Sequence, residues 1–162
     1  GHFDHAMNQL NNPGMRDKLD DLVLNQKIPV IGIRVGMQMM ANNSDEGEVE
    51  GLKWIDATVK KFDETKIHQV TRLPHMGWND VKPVKDISLF QGLEKEAIFY
   101  FLHTYYFHCN QAQDILAVSE YGGEFASAAH HDNIFGIQFH PEKSHTAGLQ
   151  LLKNFVNWNG SC

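Results

Sequence analysis

Ile28-Pro29-Val30-Ile31-Gly32-Ile33-Arg34-Val35-Gly36-Met37-Gln38 is the stretch that decides the fold. Its first half is an apolar run bounded by breakers, the mark of a short β-strand of the parallel kind, covered on both faces. A helix is expected from Met37 to Asn42. Gly32-Ile33-Arg34-Val35-Gly36 joins the two, and Gly-x-X-x-Gly between a strand and a helix is the pattern of a nucleophile elbow. Two glycines let the chain turn sharply and hold the central residue at the helix N-terminus. There the helix dipole favours negative charge and backbone N–H groups can face an oxyanion. The glycine spacing alone fits an ordinary strand end equally well.

Working outward, the segment before the strand is helical. Asp4 to Asn11 forms a short helix with Asp4 as N-cap, closed by Pro13-Gly14. Met15, Leu19, Leu22 and Val23 then fall on one amphipathic face. Beyond the elbow the chain is strand-rich: Trp54 to Phe62, His68 to Val70, Ala97 to Cys109, Ile115 to Tyr121, Phe125 to His130 and Ile134 to Phe139. Tyr121-Gly122-Gly123 and His131-Asp132-Asn133 mark antiparallel hairpins. A last helix presents Leu149, Leu152 and Val156 on one face. No linker or repeat interrupts residues 1–162, so a single α/β domain with a mixed sheet is expected. A doubly wound sheet normally opens with a strand, whereas this chain opens with a helix. Its first strands are therefore expected to be missing, the domain incomplete at its N-terminus, and an unpaired sheet edge left open.

Composition narrows the function classes. Fourteen basic and twenty acidic residues give a net charge of −6, which argues against nucleic acid as a partner. No apolar stretch approaches the ~20 residues of a membrane span. The first residues show no signal-peptide pattern, and a cytoplasmic protein is expected. Of two cysteines, Cys162 is terminal and Cys109 follows an apolar run, where it acts as a small half-buried hydrophobe. The histidine pairs lack metal-ligand spacing, and no cofactor is called for.

The second chemical motif is Gln138-Phe139-His140-Pro141-Glu142-Lys143-Ser144. A His ending a strand with a Glu two residues on can place imidazole and carboxylate side by side. The carboxylate then fixes the ring's tautomer and supports the imidazolium.

At these residues the chain resembles the class I glutamine amidotransferases. Pro29 to Gln38 is similar to their elbow, with Arg34 where the nucleophilic cysteine belongs, and Phe139 to Ser144 is similar to their His/Glu segment. Pro74-His75-Met76-Gly77-Trp78-Asn79, Phe101-Leu102-His103-Thr104-Tyr105-Tyr106 and Phe3-Asp4-His5-Ala6-Met7 resemble the glutaminase subunit of imidazole glycerol phosphate synthase. The resemblance implies a flavodoxin-like mixed sheet with flanking helices. It also implies glutamine as substrate, and a barrel-type synthase that receives the ammonia for histidine biosynthesis. Relatives of this subunit also feed ammonia to sugar-modifying enzymes of surface polysaccharide synthesis, and the sequence does not choose between the two pathways.

The resemblance also implies roles. Arg34 stands at the nucleophile, His140 is the general base and acid, and Glu142 orients it. Gln38, Glu46, Thr104 and Tyr105 hold glutamine. Val35 and Gly1 are the oxyanion positions, Gly1 being all that remains of a Gly-rich loop. Trp78, Asn79 and Lys143 face the partner. Core packing is the competing reading for Trp78, and a solvated acidic loop for Glu46. Arg34 departs from the pattern: a guanidinium stays protonated and forms no thioester. An inactive subunit follows, or a non-catalytic partner-binding one in which Arg34 pairs with Glu142.

Overall fold

The computed structural model describes residues 2–93 and 97–160. Its centre is a mixed eight-stranded sheet. β1 (Val30–Ile33) pairs in parallel with β10 (Ile134–Ile137), and β10 returns antiparallel on β9 (Glu124–His131). β9 is long enough to meet both β7 (Tyr105–Cys109) and β8 (Ile115–Glu120). β7 continues antiparallel to β3 (Ala57–Lys61), which pairs in parallel with β2 (Asn43–Ser44), while β5 (Lys82–Pro83) adds to β8. A separate ribbon joins β4 (His75–Asp80) to β6 (Ile98–His103).

Helices cover both faces. On one side lie α1 (His2–Leu10) and α3 (Val35–Met39), whose Phe3, Met7 and Met37 are buried. The other face carries α4 (His145–Val156), which packs Leu151 among Phe90, Phe99, Phe135 and Phe139. The alternation of β10 serves both cores, Ile134 facing the first and Phe135 and Ile137 the second. α2 (Met15–Asp20) runs into a π-helical turn over Asp21–Asn25, where Gln26 N–H reaches Asp21 O.

The mixed α/β sheet matches the expectation, and both hairpins form at the expected turns. Several details differ. The β1 run is parallel and touches both cores, Val30 on one face and Ile31 and Ile33 on the other, but only Gly32 is fully buried, and among the described residues β10 is its only strand partner. The first helix starts at His2, so Asp4 is not its N-cap. Its carboxylate instead accepts the N–H groups of Glu48 (3.1 Å) and Val49 (3.0 Å), which hold it below the usual carboxylate range. His68–Val70 is no strand, and Val70 is fully exposed. The expected strand from Ala97 to Cys109 is two strands broken at Thr104. On α4 the buried face is Gly148 and Leu151, whereas Leu149 is 63% and Val156 78% exposed. The helical periodicity holds, but apolar positions outnumber the buried ones, and the buried stripe is rotated from Leu149 and Val156 toward Gly148 and Leu151.

Candidate active site

The elbow is present as a backbone conformation. Arg34 has φ 58° and ψ −116°, a region that side-chain-bearing residues rarely enter and that costs about 1–3 kcal/mol. Two contacts hold it there: its N–H donates to Ile137 O (2.8 Å), and its carbonyl accepts Gln38 N–H (3.1 Å). The first extends the β1–β10 ladder by one residue and the second starts α3, so the strand and the helix together fix the turn. Arg34 is consequently exposed and faces a cleft of about 370 Å³.

Several elements wall this cleft. The elbow contributes Arg34 and Val35, and α3 contributes Gln38. The loop after β2 contributes Glu46, the end of β6 and start of β7 contribute Thr104 and Tyr105, and His2 closes the rim. Glu46 is tied down: its Oε1 accepts Phe3 N–H at 2.8 Å, one of the N–H groups a helix N-terminus leaves free. The solvated-loop reading of Glu46 therefore gives way to a structural anchor at the cleft wall. Gln38 Nε2 donates to Tyr105 O (3.3 Å) and to Gln138 Oε1 (3.0 Å).

His140 and Glu142 meet at 2.8 Å, Nδ1 to Oε1. His140 is 2% exposed, whereas Glu142 reaches solvent. Burial alone would raise the Glu142 carboxyl. The hydrogen bond from His140, a backbone N–H and the fields of His140 and Arg34 outweigh it and bring it below the usual range. The other ring nitrogen of His140, Nε2, is buried and has no hydrogen-bond partner. The carboxylate fixes the ring's orientation and leaves Nε2 as the nitrogen without a partner among the described residues. Arg34 makes no ion pair among the described residues, so the expected Arg34–Glu142 pair does not form; His140 takes that carboxylate.

Trp78 and Lys143 meet at the outer face of the β4–β6 ribbon. Trp78 is 51% exposed, which rules out the core reading, and it stacks on His145 and edges onto Tyr100. Lys143 Nζ lies 5.5 Å over the same Tyr100 ring. Asn79 does not join them. It alternates to the inner face of β4, and both of its amide hydrogens are spent, on His75 Nε2 and Glu120 O. Gly1 lies outside the described residues.

The family model for glutamine amidotransferase class-I matches residues 11–158. The imidazole glycerol phosphate synthase subunit HisH of Bdellovibrio bacteriovorus is 53% identical over 155 residues, 96% of this chain and 76% of that protein. The chain belongs to the class I glutamine amidotransferases. The HisH subunit of Leptospira interrogans, 48% identical over 97% of this chain and 77% of its own length, places it on the HisH branch. The chain thus spans about three quarters of the HisH proteins it matches. A glutamine amidotransferase structure from Thermotoga maritima agrees in fold, with a TM-score of 0.57 at 20% identity, over 86% of this chain and 52% of that one.

For an amidotransferase cleft, sequence reasoning overlooked two groups. Gln138 is buried against Gln38, and the i, i+2 spacing to His140 within the quoted motif could have pointed to it. His75 and His103 sit in two quoted segments and were weighed only as metal ligands or passed over. No local signal shows that they are register partners across β4 and β6.

Proposed function

We propose that the chain is the glutamine-binding subunit of an imidazole glycerol phosphate synthase, working with a barrel-type cyclase partner in histidine biosynthesis. Supporting this is one arrangement: the strained Arg34 elbow opens on a cleft between Gln38, Glu46 and the Thr104–Tyr105 wall, beside a buried His140–Glu142 pair. Gln38, Glu46 and Thr104 set a few polar groups among apolar lining from Val35, Pro74 and Leu102, the usual make-up of a small-molecule site. Val35 N–H, at the start of α3, is the oxyanion donor in this reading. The Trp78–Lys143 face docks the partner, and a cytoplasmic location follows; no helix is long and apolar enough to cross a membrane among the described residues.

As written, the chain does not turn glutamine over. A guanidinium has no nucleophilic lone pair at working pH, and Cys109 is a buried residue of β7, in the core rather than the cleft. The exposure of Met76, Trp78 and Ile98 on one face favours a second reading, a non-catalytic subunit that only docks its partner. Ammonia supply to sugar amidation is the third. The test is glutamate release with the cyclase and its acceptor present, beside calorimetry of glutamine and of the cyclase. Turnover above background overturns the inactivity. Cyclase binding without glutamine binding selects the docking-only reading, and binding of neither defeats the proposal.

A further inference from the structure

A pair of buried histidines that the reading above does not use reaches the cleft wall at His103. His75 and His103 face each other across the β4–β6 ribbon, with His75 Nδ1 2.9 Å from His103 Nε2. On the inner side His103 Nδ1 lies 2.8 Å from Tyr105 O. On the outer side His75 Nε2 lies 3.2 Å from Asn79 Nδ2.

The proton positions follow from either end. A carbonyl oxygen only accepts, so His103 carries its hydrogen on Nδ1 and its Nε2 is the acceptor. His75 must then donate from Nδ1 and accept at Nε2. From the outer end, Asn79 Oδ1 accepts Asp80 N–H (2.8 Å) and its Nδ2 donates to Glu120 O (2.8 Å). That orientation leaves a second Nδ2 hydrogen for His75 Nε2. The two derivations agree on one arrangement with both rings neutral. Burial supports neutrality, pressing His75 down to about 4 and His103 to about 3. Aromatic packing fixes the ring planes: His75 is sandwiched between Tyr121 (4.1 Å) and Phe101 (4.8 Å).

From the cleft side, Tyr105 O also accepts Gln38 Nε2, whose other hydrogen goes to Gln138 Oε1. Both Gln38 donors are thereby used, and what it can still offer a ligand is its Oε1, an acceptor.

We propose that Asn79, His75 and His103 form one directional hydrogen-bond chain, a relay that ends on the Tyr105 carbonyl and holds it in place, and that this carbonyl, accepting Gln38 Nε2 from the cleft side, leaves Gln38 Oε1 turned to ligands that present an amide or ammonium donor. This deepens the glutamine-binding reading and rests on it for the ligand. His75 and His103 are positioning residues, acting through the Tyr105 backbone rather than on the ligand.

The first test needs no ligand. Proton–nitrogen correlation spectra of the histidine rings in the unmodified chain should show His75 and His103 neutral at pH 7, each protonated on Nδ1, with both Gln38 amide hydrogens protected from exchange. An Nε2-protonated ring, or an unprotected Gln38 amide, overturns the relay. The second test is calorimetric titration with glutamine. His103→Asn keeps a donor near the Nδ1 position and should bind within about threefold of the parent, whereas His103→Phe loses it and should bind at least roughly tenfold more weakly. Equal affinities, or equal losses, overturn the positioning role. An unmodified chain that binds no glutamine defeats the function proposed above, and the spectra still decide the relay.

Discussion

Gly32 on β1 and Gly136 on β10 are register partners, and together they form a smooth patch on which α3 lies. A Cβ on Gly32 would stand 2.6 Å from Gly36 O and 2.7 Å from Met40 Cε, and one on Gly136 would stand 2.6 Å from Met37 Cγ. The elbow thus depends on a close approach of helix to strands. Gly36, the other glycine of the Gly-x-x-x-Gly spacing, has open space where its Cβ would be.

The two elbow glycines should therefore respond oppositely to alanine. Gly32→Ala pushes against backbone and should cost about 1–3 kcal/mol. Gly36→Ala sits in α3 with nothing to strike and should gain roughly 0.5–1 kcal/mol. Urea unfolding of the two variants checks the contrast. Equal losses would mean that both glycines serve the turn.

Arg34 holds a positive φ with a full side chain attached. Arg34→Gly should stabilise the fold by about 1 kcal/mol, because glycine enters that region without strain. Arg34→Cys leaves the strain in place and sets a thiol at the first turn of α3. Its thiol should alkylate faster than a free cysteine at pH 7, since a helix N-terminus favours thiolate. Mass-mapped iodoacetamide kinetics measure this, and a slow or inert thiol would argue against the elbow as a nucleophile position.

Protonation of the paired histidines should weaken the fold as pH falls. His75 and His103 sit near 6.5 when unfolded and at about 4 and about 3 when folded. Between pH 6.5 and 4 the unfolded chain binds protons that the folded chain refuses. The stability from their neutral burial is complete above pH 6.5 and is lost as pH drops toward the folded values. Each site contributes up to about 1.4 kcal/mol per pH unit. Urea midpoints from pH 7.5 to 5 should fall, and His75→Phe should flatten the slope. An unchanged slope in that variant would remove His75 from the account.

Cys109 should be inert in the native protein. Burial, with a smaller push from Asp114, raises its thiol to about 12. Iodoacetamide at pH 8 should leave it unlabelled until urea is added. Native labelling at the rate of an exposed thiol would contradict its place between β3 and the inner core.

Gly77 on β4 tests the relay from the backbone side. It has φ 125° and lies between His75 and Asn79, whose side chains are hydrogen-bonded to each other. Gly77→Ala finds no steric clash but does find a strained backbone, so a loss of about 1 kcal/mol or more is expected. Thermal melts with the histidine-ring spectra would show whether the Asn79–His75 contact is lost with it.

The sequence by itself determined the features carried by neighbours in the chain. The apolar run into Gly32-Ile33-Arg34-Val35-Gly36 specified a strand, a sharp turn and a helix, because each depends on residues a few positions apart. His140 and Glu142 were legible for the same reason, being two residues apart at a strand end. Tertiary structure decided what depends on contacts between distant segments. Asp4 and Glu46 became ties between α1 and the loop after β2, across more than forty residues. Asn79 turned inward while Trp78 stayed out, because strand alternation is absolute once β4 pairs with β6. The exposed side of α4 was fixed by which apolar residues met the sheet, a choice that periodicity leaves open. His75 and His103 became one unit only through register, since no local pattern records which residue will stand opposite another.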